Sequence, residues 1–214
     1  IPSAISPYVL RAIGARQATR YFQTAERIDA RRAAELGLAH EAVASDAWPM
    51  RPERILAEVR EVLPADAIIT TDVGWNKNGM AQQMDILTPG SVFTPGGFAT
   101  MGFGSPAAVG AKIALKDKVV VALTGDGGWG QNPAVLATAR ENDIAVIWVI
   151  MNNRAFGTIA GLEKAHYDTT FGTVFEVDGE SWSPDSATIA RAYGIEGITV
   201  HPADELLPAL QKAV

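Results

Sequence analysis

The stretch Val119-Val120-Val121-Ala122-Leu123-Thr124-Gly125-Asp126-Gly127-Gly128 decides the fold class: an apolar run ends in a glycine-rich turn that holds one carboxylate. A near-continuous apolar strand is what a parallel sheet covered on both faces demands. A second apolar run, residues 145–151, ends in the paired amides Asn152-Asn153, with Asn153 27 residues after Asp126. Between the runs lie Gln131, Asn132 and Pro133, which open a helical stretch reaching about Glu141. Ligands of open parallel sheets sit beyond the carboxyl ends of the strands. The opening of the helix adds the positive end of its dipole. Asp126 and Asn153 are therefore expected to reach one point in space. Their oxygens, with the backbone carbonyl of Ala155, suit Mg²⁺, and Mg²⁺ suits a diphosphate.

Two other readings fit parts of this pattern. The turn and the amide pair, taken singly, are each an ordinary strand-to-helix turn and helix-end loop. Gly125-x-Gly127-x-x-Gly130 also matches the dinucleotide fingerprint. Against the dinucleotide reading, Asp126 inside the turn repels a pyrophosphate unless a metal ion intervenes. The next strand also ends in Asn152-Asn153, where an acid for the ribose hydroxyls belongs.

Working outward, helix and strand alternate. Residues 52–63 and 75–85 read as helices, and residues 67–71 as a short buried strand ending at Asp72. Residues 92–104 are glycine-rich and read as a loop. Residues 105–115, with Ala107, Ala108, Gly110, Ala111 and Ala114, read as a tightly packed helix. Residues 168–186 are left irregular. A helix at 187–193, a strand at 195–200 and a helix at 203–213 complete the pattern. This alternation predicts an α/β domain with an open, mostly parallel sheet and helices on both faces. A short helical segment precedes it: residues 6–20, capped by Ser6 and Pro7, and residues 29–36, capped by Asp29 and stopped by Gly37. The stretch 44–52 reads as a join.

At 214 residues and 48% hydrophobic, the chain has ample material for a core. A net charge of −6 argues against nucleic acid or an anionic membrane as a general partner. The charge is uneven: residues 1–43 carry six arginines and four acids, net +2, and the remainder is −8. The absence of cysteine excludes disulfides, thiolate catalysis and Cys-held metal centres, and fits a cytoplasmic protein. No apolar run approaches membrane-spanning length. Ile1-Pro2-Ser3-Ala4-Ile5 is not a secretory signal, and a start other than Met is expected of a fragment or processed product.

The Gly125-Asp126-Gly127 turn, the amide pair just under thirty residues on, Thr71-Asp72-Val73-Gly74, and the run Gly97-Phe98-Ala99-Thr100-Met101-Gly102-Phe103-Gly104-Ser105-Pro106 resemble the diphosphate-binding (PP) domain of thiamine diphosphate enzymes. The likeness is to the acetolactate synthase and 2-oxoacid decarboxylase superfamily and spans about residues 48–214. It implies thiamine diphosphate and Mg²⁺, with Asp126, Asn153 and the Ala155 carbonyl as metal ligands. Gly125 belongs to the same turn, and Gly127 and Gly128 would donate backbone amides to the diphosphate. Met101 would bend the cofactor so that its 4′-amino group nears the thiazolium C2 proton. Gly97 and Phe98 would touch the pyrimidine. Asp72 and Asn76 either face the substrate or partner domain or cap a strand end. The implied reaction is decarboxylation of a 2-oxoacid, followed by protonation (a lyase) or addition to a second carbonyl (a carboligase, or transferase). In this family an activating glutamate sits on a pyrimidine-binding (PYR) domain, for which this chain has no room. The implied partner is a PYR-bearing chain or missing segment in a homo- or hetero-oligomer, with a non-catalytic fusion or fragment as the alternative.

Residues 1–43 resemble instead the C-terminal part of crotonase-fold enoyl-CoA hydratases, on Ile5-Ser6-Pro7-Tyr8, Tyr21-Phe22, Thr24-Ala25-Glu26 and Gly37-Leu38-Ala39-His40-Glu41. Glu26 reads as a turn residue, so no complete hydratase site is implied. His40, His166 and His201 show no metal-ligand spacing; His166 alone follows the cofactor loop closely enough to be a candidate substrate contact. Trp75, Trp129, Trp148 and Trp182 read as packing residues.

Overall fold

The computed structural model describes residues 6–24, 28, 30–38 and 50–214. The chain divides into two units, Ile1–Trp48 and Pro49–Val214. In the first, helix α1 (Ser6–Thr24) runs four residues beyond the sequence expectation and is kinked at Gly14, whose φ of 77° breaks the helical path. Helix α2 (Ala30–Glu35) ends as expected at Gly37. Leu38 N–H donates to the Ala33 carbonyl (2.8 Å) and Gly37 N–H to that of Ala34 (3.0 Å), a Schellman cap with Gly37 left-handed at φ 77°. The Asp29 cap, Glu26, His40, Glu41 and most of the join lie outside the described residues.

The second unit is built on a four-stranded parallel sheet. Its strands are β1 (Ile68–Thr71), β2 (Val92–Phe93), β3 (Val120–Gly125) and β4 (Ile147–Met151), in the order β2-β1-β3-β4. Strand alternation sorts the side chains. Ile69, Val121 and Leu123 face one layer, made by α3 (Pro52–Val62), α4 (Trp75–Gln83) and α10 (Leu206–Ala213), through Leu56, Val59, Met80, Leu206 and Leu210. Ile68, Val120 and Ala122 face the other, where Ala108 of α5 (Gly104–Ala114) packs. The small residues of α5 let it lie close on the sheet, as the sequence expects. Because β2 lies on one side of β1 and β3 on the other, the strand order reverses between β1 and β3. That switch point opens a crevice beyond their carboxyl ends.

Five features depart from the sequence expectation. The 92–104 loop starts with β2, paired to β1 (Ile69↔Val92). A one-turn helix, α6 (Asp126–Trp129), starts inside the glycine turn, and the next helix, α7 (Val135–Glu141), starts later than Pro133. Helix α8 (Gly157–Tyr167) follows β4, where two glycines hid the helical signal. Residues 176–181 form a hairpin, β5 (Glu176–Val177) and β6 (Glu180–Ser181), turned by Asp178 and Gly179, both at positive φ. The strand expected at 195–200 is not one: after α9 (Ser186–Ala192), Gly197 lies so close to the Ala187 backbone that a Cβ would collide with its carbonyl. The segment packs on α9 instead of joining a ladder. No described helix is long and apolar enough to cross a membrane.

Candidate cofactor site

The parallel register sets the site. Gly125 pairs with Met151 and Thr71 with Leu123, so Asp126 and Asn152-Asn153 leave neighbouring strands at one level. The Asp126 carboxylate is 8% exposed, and its Oδ2 is buried with no hydrogen-bond partner. Burial pushes its pKa above the ordinary aspartate value, against backbone amides of Gly127, Arg154, Asp126 itself and Asn153 that favour the charged form. Asp126, Asn153 and Arg154 line one cavity beyond the two strand tips. Asn153 Oδ1 accepts from Ala155 N–H (3.2 Å) and Asn152 Oδ1 from Arg154 N–H (3.1 Å). Arg154 is left-handed at φ 55°, which turns this short loop back over Asp126.

The glycines are sterically required by the protein itself. A Cβ on Gly127 would lie 2.7 Å from the Phe156 ring and 3.3 Å from Met101 Cε. One on Gly128 would lie 2.5 Å from Asp72 Oδ1. Asp72 is wholly buried and accepts N–H bonds from Val73 (2.8 Å), Gly102 (3.1 and 3.0 Å) and Gly104 (2.9 Å). Asn76 Nδ2 donates to the carbonyls of Asp72 and Leu123, both at 2.9 Å. Both residues make strand-end bonds that tie the tips of β1 and β3 together and hold the loop that carries Met101, and Asn76 also lines the cavity beyond them.

A cavity of about 770 Å³ opens here, lined by Met101, Gly125, Asp126, Gly127, Gly128 and Asn153, with Ala155 beside them. Gly97 and Phe98 are not among its lining residues, and Phe98 is 95% exposed. Nor is His166, exposed in the last turn of α8, whereas His201 does line the cavity. Trp75, Trp129 and Trp148 line it; Trp182 does not. Sequence reasoning missed Phe156 and Gly157. Phe156 walls Gly127, and a Cβ on Gly157 would collide with Asn153 Nδ2. An aromatic-glycine pair two residues beyond the amide loop was the available signal.

The oxygens borne by the residues that line this cavity include a carboxylate oxygen without a partner (Asp126), a carboxamide oxygen (Asn153) and a backbone carbonyl (Ala155). An all-oxygen set of this kind fits a hard divalent cation. No group of three His, Cys, Asp or Glu side chains able to hold a metal occurs among the described residues.

The family model for the thiamine pyrophosphate enzyme C-terminal TPP-binding domain matches residues 72–214. The chain belongs to this family. As a thiamine pyrophosphate-binding domain, it is 37% identical over 175 residues to the probable acetolactate synthase large subunit of Methanocaldococcus jannaschii, covering 79% of this chain and 29% of that one. It is 35% identical over 166 residues to the sulfoacetaldehyde acetyltransferase of Alcaligenes xylosoxydans xylosoxydans, covering 77% and 26%. In structure it resembles the thiamine diphosphate-dependent 4-hydroxybenzoylformate decarboxylase of Rhodococcus jostii RHA1 (TM-score 0.68, 29% identity, 81% of this chain and 31% of that one). The domain thus spans less than a third of the length of the relatives it matches. The crotonase-like reading of residues 1–43 gains no support from these relatives.

Proposed function

We propose that the domain holds thiamine diphosphate through Mg²⁺, with Asp126, Asn153 and the Ala155 carbonyl as metal ligands, and serves as the PP half of an acetolactate synthase-like 2-oxoacid decarboxylase or carboligase. The observation that carries this is the Asp126 carboxylate: buried, with Oδ2 unpartnered, beside the Asn153–Ala155 loop and the glycine turn. A bare ionised carboxylate in such a place is costly, and a bound cation removes the cost. When bound, thiamine diphosphate supplies the carbon nucleophile and electron sink for cleaving a 2-oxoacid.

The chain's own residues do the holding. Gly127 and Gly128 present backbone N–H groups to the diphosphate. Met101, fixed by the Asp72–Gly102 bonds and resting 3.3 Å from where a Gly127 Cβ would stand, supports the cofactor ring from below. Asn76 keeps the tips of β1 and β3 in register beneath it. The glutamate that activates the cofactor ring comes from a PYR domain, on another segment or another chain of a cytoplasmic oligomer. Residues 48–214 form the PP domain.

Thiamine diphosphate titrated into the protein with Mg²⁺ and then with a chelator tests the reading, and binding indifferent to the chelator refutes it. CO₂ release from a 2-oxoacid is expected once a PYR-domain chain is added. Its absence with every PYR partner, while binding persists, favours the silent-fragment alternative.

A further inference from the structure

The strap between α8 and α9 has no part in the binding described so far, yet it is bonded to the metal loop along its length. Ala155 bridges Val174 in antiparallel fashion, with Phe156 N–H donating to the Thr173 carbonyl (2.8 Å) and Phe175 N–H to the Arg154 carbonyl (2.8 Å). In this pairing the bonds flank Ala155, so its own N–H and C=O are directed away from the strap. Its N–H goes to Asn153 Oδ1. Phe156 and Phe175 meet edge to face with centroids 4.8 Å apart. The strap thereby sets both the direction of the Ala155 carbonyl and the turn that carries Asn153.

Asn152 Nδ2 donates to Ser183 Oγ (2.7 Å) and Arg154 Nη1 to the Ser181 carbonyl (3.2 Å) further along the strap, and one carboxylate oxygen ties its start to α8. Glu163 Oε2 accepts from Thr173 Oγ1 (2.6 Å) and from Phe171 N–H (3.1 Å). Thr173 is buried, at 7% exposure, and Glu163 is half-buried. Glu163 lies on α8, the helix that starts at Gly157, directly after Phe156. The path is closed: from Phe156 along two turns of helix to Glu163, across to Thr173, and back by hydrogen bond to Phe156. A closed ring of this kind fixes its members more firmly than any one bond does.

We propose that Glu163 is a positioning residue for the metal site, acting through Thr173 to orient the Ala155 carbonyl and Asn153. The proposal rests on the metal reading above and extends it to a residue that touches neither metal nor cofactor. Residues that orient metal ligands typically cost 10–100-fold in metal affinity when removed. Because both bonds converge on Oε2, the carbonyl oxygen of a glutamine can take both, whereas alanine offers nothing.

The test is the Mg²⁺ dependence of thiamine diphosphate binding in wild type, Glu163→Ala and Glu163→Gln, together with amide exchange at Phe156 and Phe175 in the metal-free protein. Glu163→Ala is expected to weaken Mg²⁺ about tenfold and to speed exchange at those two amides while β1 and β3 stay protected. Glu163→Gln is expected to stay within about twofold of wild type, by the same count of bonds. Should Glu163→Ala fail to fold, Thr173→Val against Thr173→Ser decides, since only serine keeps the hydroxyl. Mg²⁺ affinity within twofold of wild type in the alanine variant overturns the proposal, as does unchanged exchange at Phe156. A wild type without any Mg²⁺ dependence overturns the metal reading itself, and the exchange arm, which needs no metal, tells the two failures apart.

Discussion

Gly128→Ala puts one methyl group where Asp72 already stands. Its Cβ would lie 2.5 Å from Asp72 Oδ1, 2.6 Å from Cγ and 3.0 Å from Cβ. Optimal separation for such atoms is about 3.5–4.0 Å, so the overlap is close to an ångström. Asp72 has nowhere to go: it is wholly buried and tethered to Val73, Gly102 and Gly104 by backbone amides. Overpacking of this kind costs about 1–3 kcal/mol. Retreat that breaks one amide bond to the carboxylate adds about 1.5–3 kcal/mol. The expected loss is about 2.5–6 kcal/mol, and at about 2–4 °C per kcal/mol for a chain of this size the melting temperature falls by about 5–24 °C.

Gly110→Ala is the matched control. It lies in α5 with nothing within 4 Å of its added Cβ, and should be neutral or gain up to about 1 kcal/mol. Thermal unfolding by circular dichroism reads both. In an Asp72→Ala background the Gly128→Ala penalty should shrink by more than about 1 kcal/mol, because the clashing atoms are gone. A Gly128→Ala melting temperature within about 2 °C of wild type, or strict additivity with Asp72→Ala, refutes the account of how the β1 tip and the glycine turn are joined.

Three other outcomes are expected. Gly157→Ala drives its Cβ into Asn153 Nδ2 and turns that side chain out of the site, so Mg²⁺ affinity should fall at least the roughly tenfold that loss of a supporting residue costs, measured by calorimetry. Met101→Ala should weaken thiamine diphosphate binding while leaving Mg²⁺-pyrophosphate binding within about twofold, because Met101 underlies the ring rather than the phosphates; equal losses for both ligands contradict that placement. The pH dependence follows from Asp126. Its folded, metal-free pKa is raised by burial, so its contribution to metal-free stability is fully present below the ordinary aspartate pKa and is lost as pH rises through the raised value. Metal binding needs the ionised form, so Mg²⁺ affinity should rise over the same window and level off above it. Both dependences should vanish in Asp126→Ala, as followed by melting curves and titrations at stepped pH.

Much of the fold was legible because its signals are local. The run at 119–124 is a central strand buried on both faces, and that burial is what makes it continuously apolar; the run at 145–151 holds the half-buried edge strand β4. Asp126 and the Asn152-Asn153 pair stand out because each lies just past the end of such a run. The rest depends on contacts between distant parts of the chain. Nothing around Asp72 says that Gly102 and Gly104 will return to its carboxylate across some thirty residues. Gly157 looks like a helix breaker in sequence, yet it begins α8 because only a hydrogen fits against Asn153. The hairpin at 176–181 carried its Asp178-Gly179 turn signal in plain view, but Glu176, Val177, Glu180 and Ser181 give it no apolar face to announce strands. The run at 195–200 has strand composition, and its place against α9 is decided by packing at Gly197.

The central claim is that Asp126 and the Asn153–Ala155 loop hold a divalent cation which anchors thiamine diphosphate. Calorimetric titration of thiamine diphosphate into wild-type and Asp126→Ala protein, each with Mg²⁺ and with chelator, tests it most directly. The account predicts binding to wild type only when Mg²⁺ is present, and none in the variant although its fold persists by circular dichroism. Equal affinity with and without Mg²⁺, or binding in Asp126→Ala that matches wild type, would contradict it.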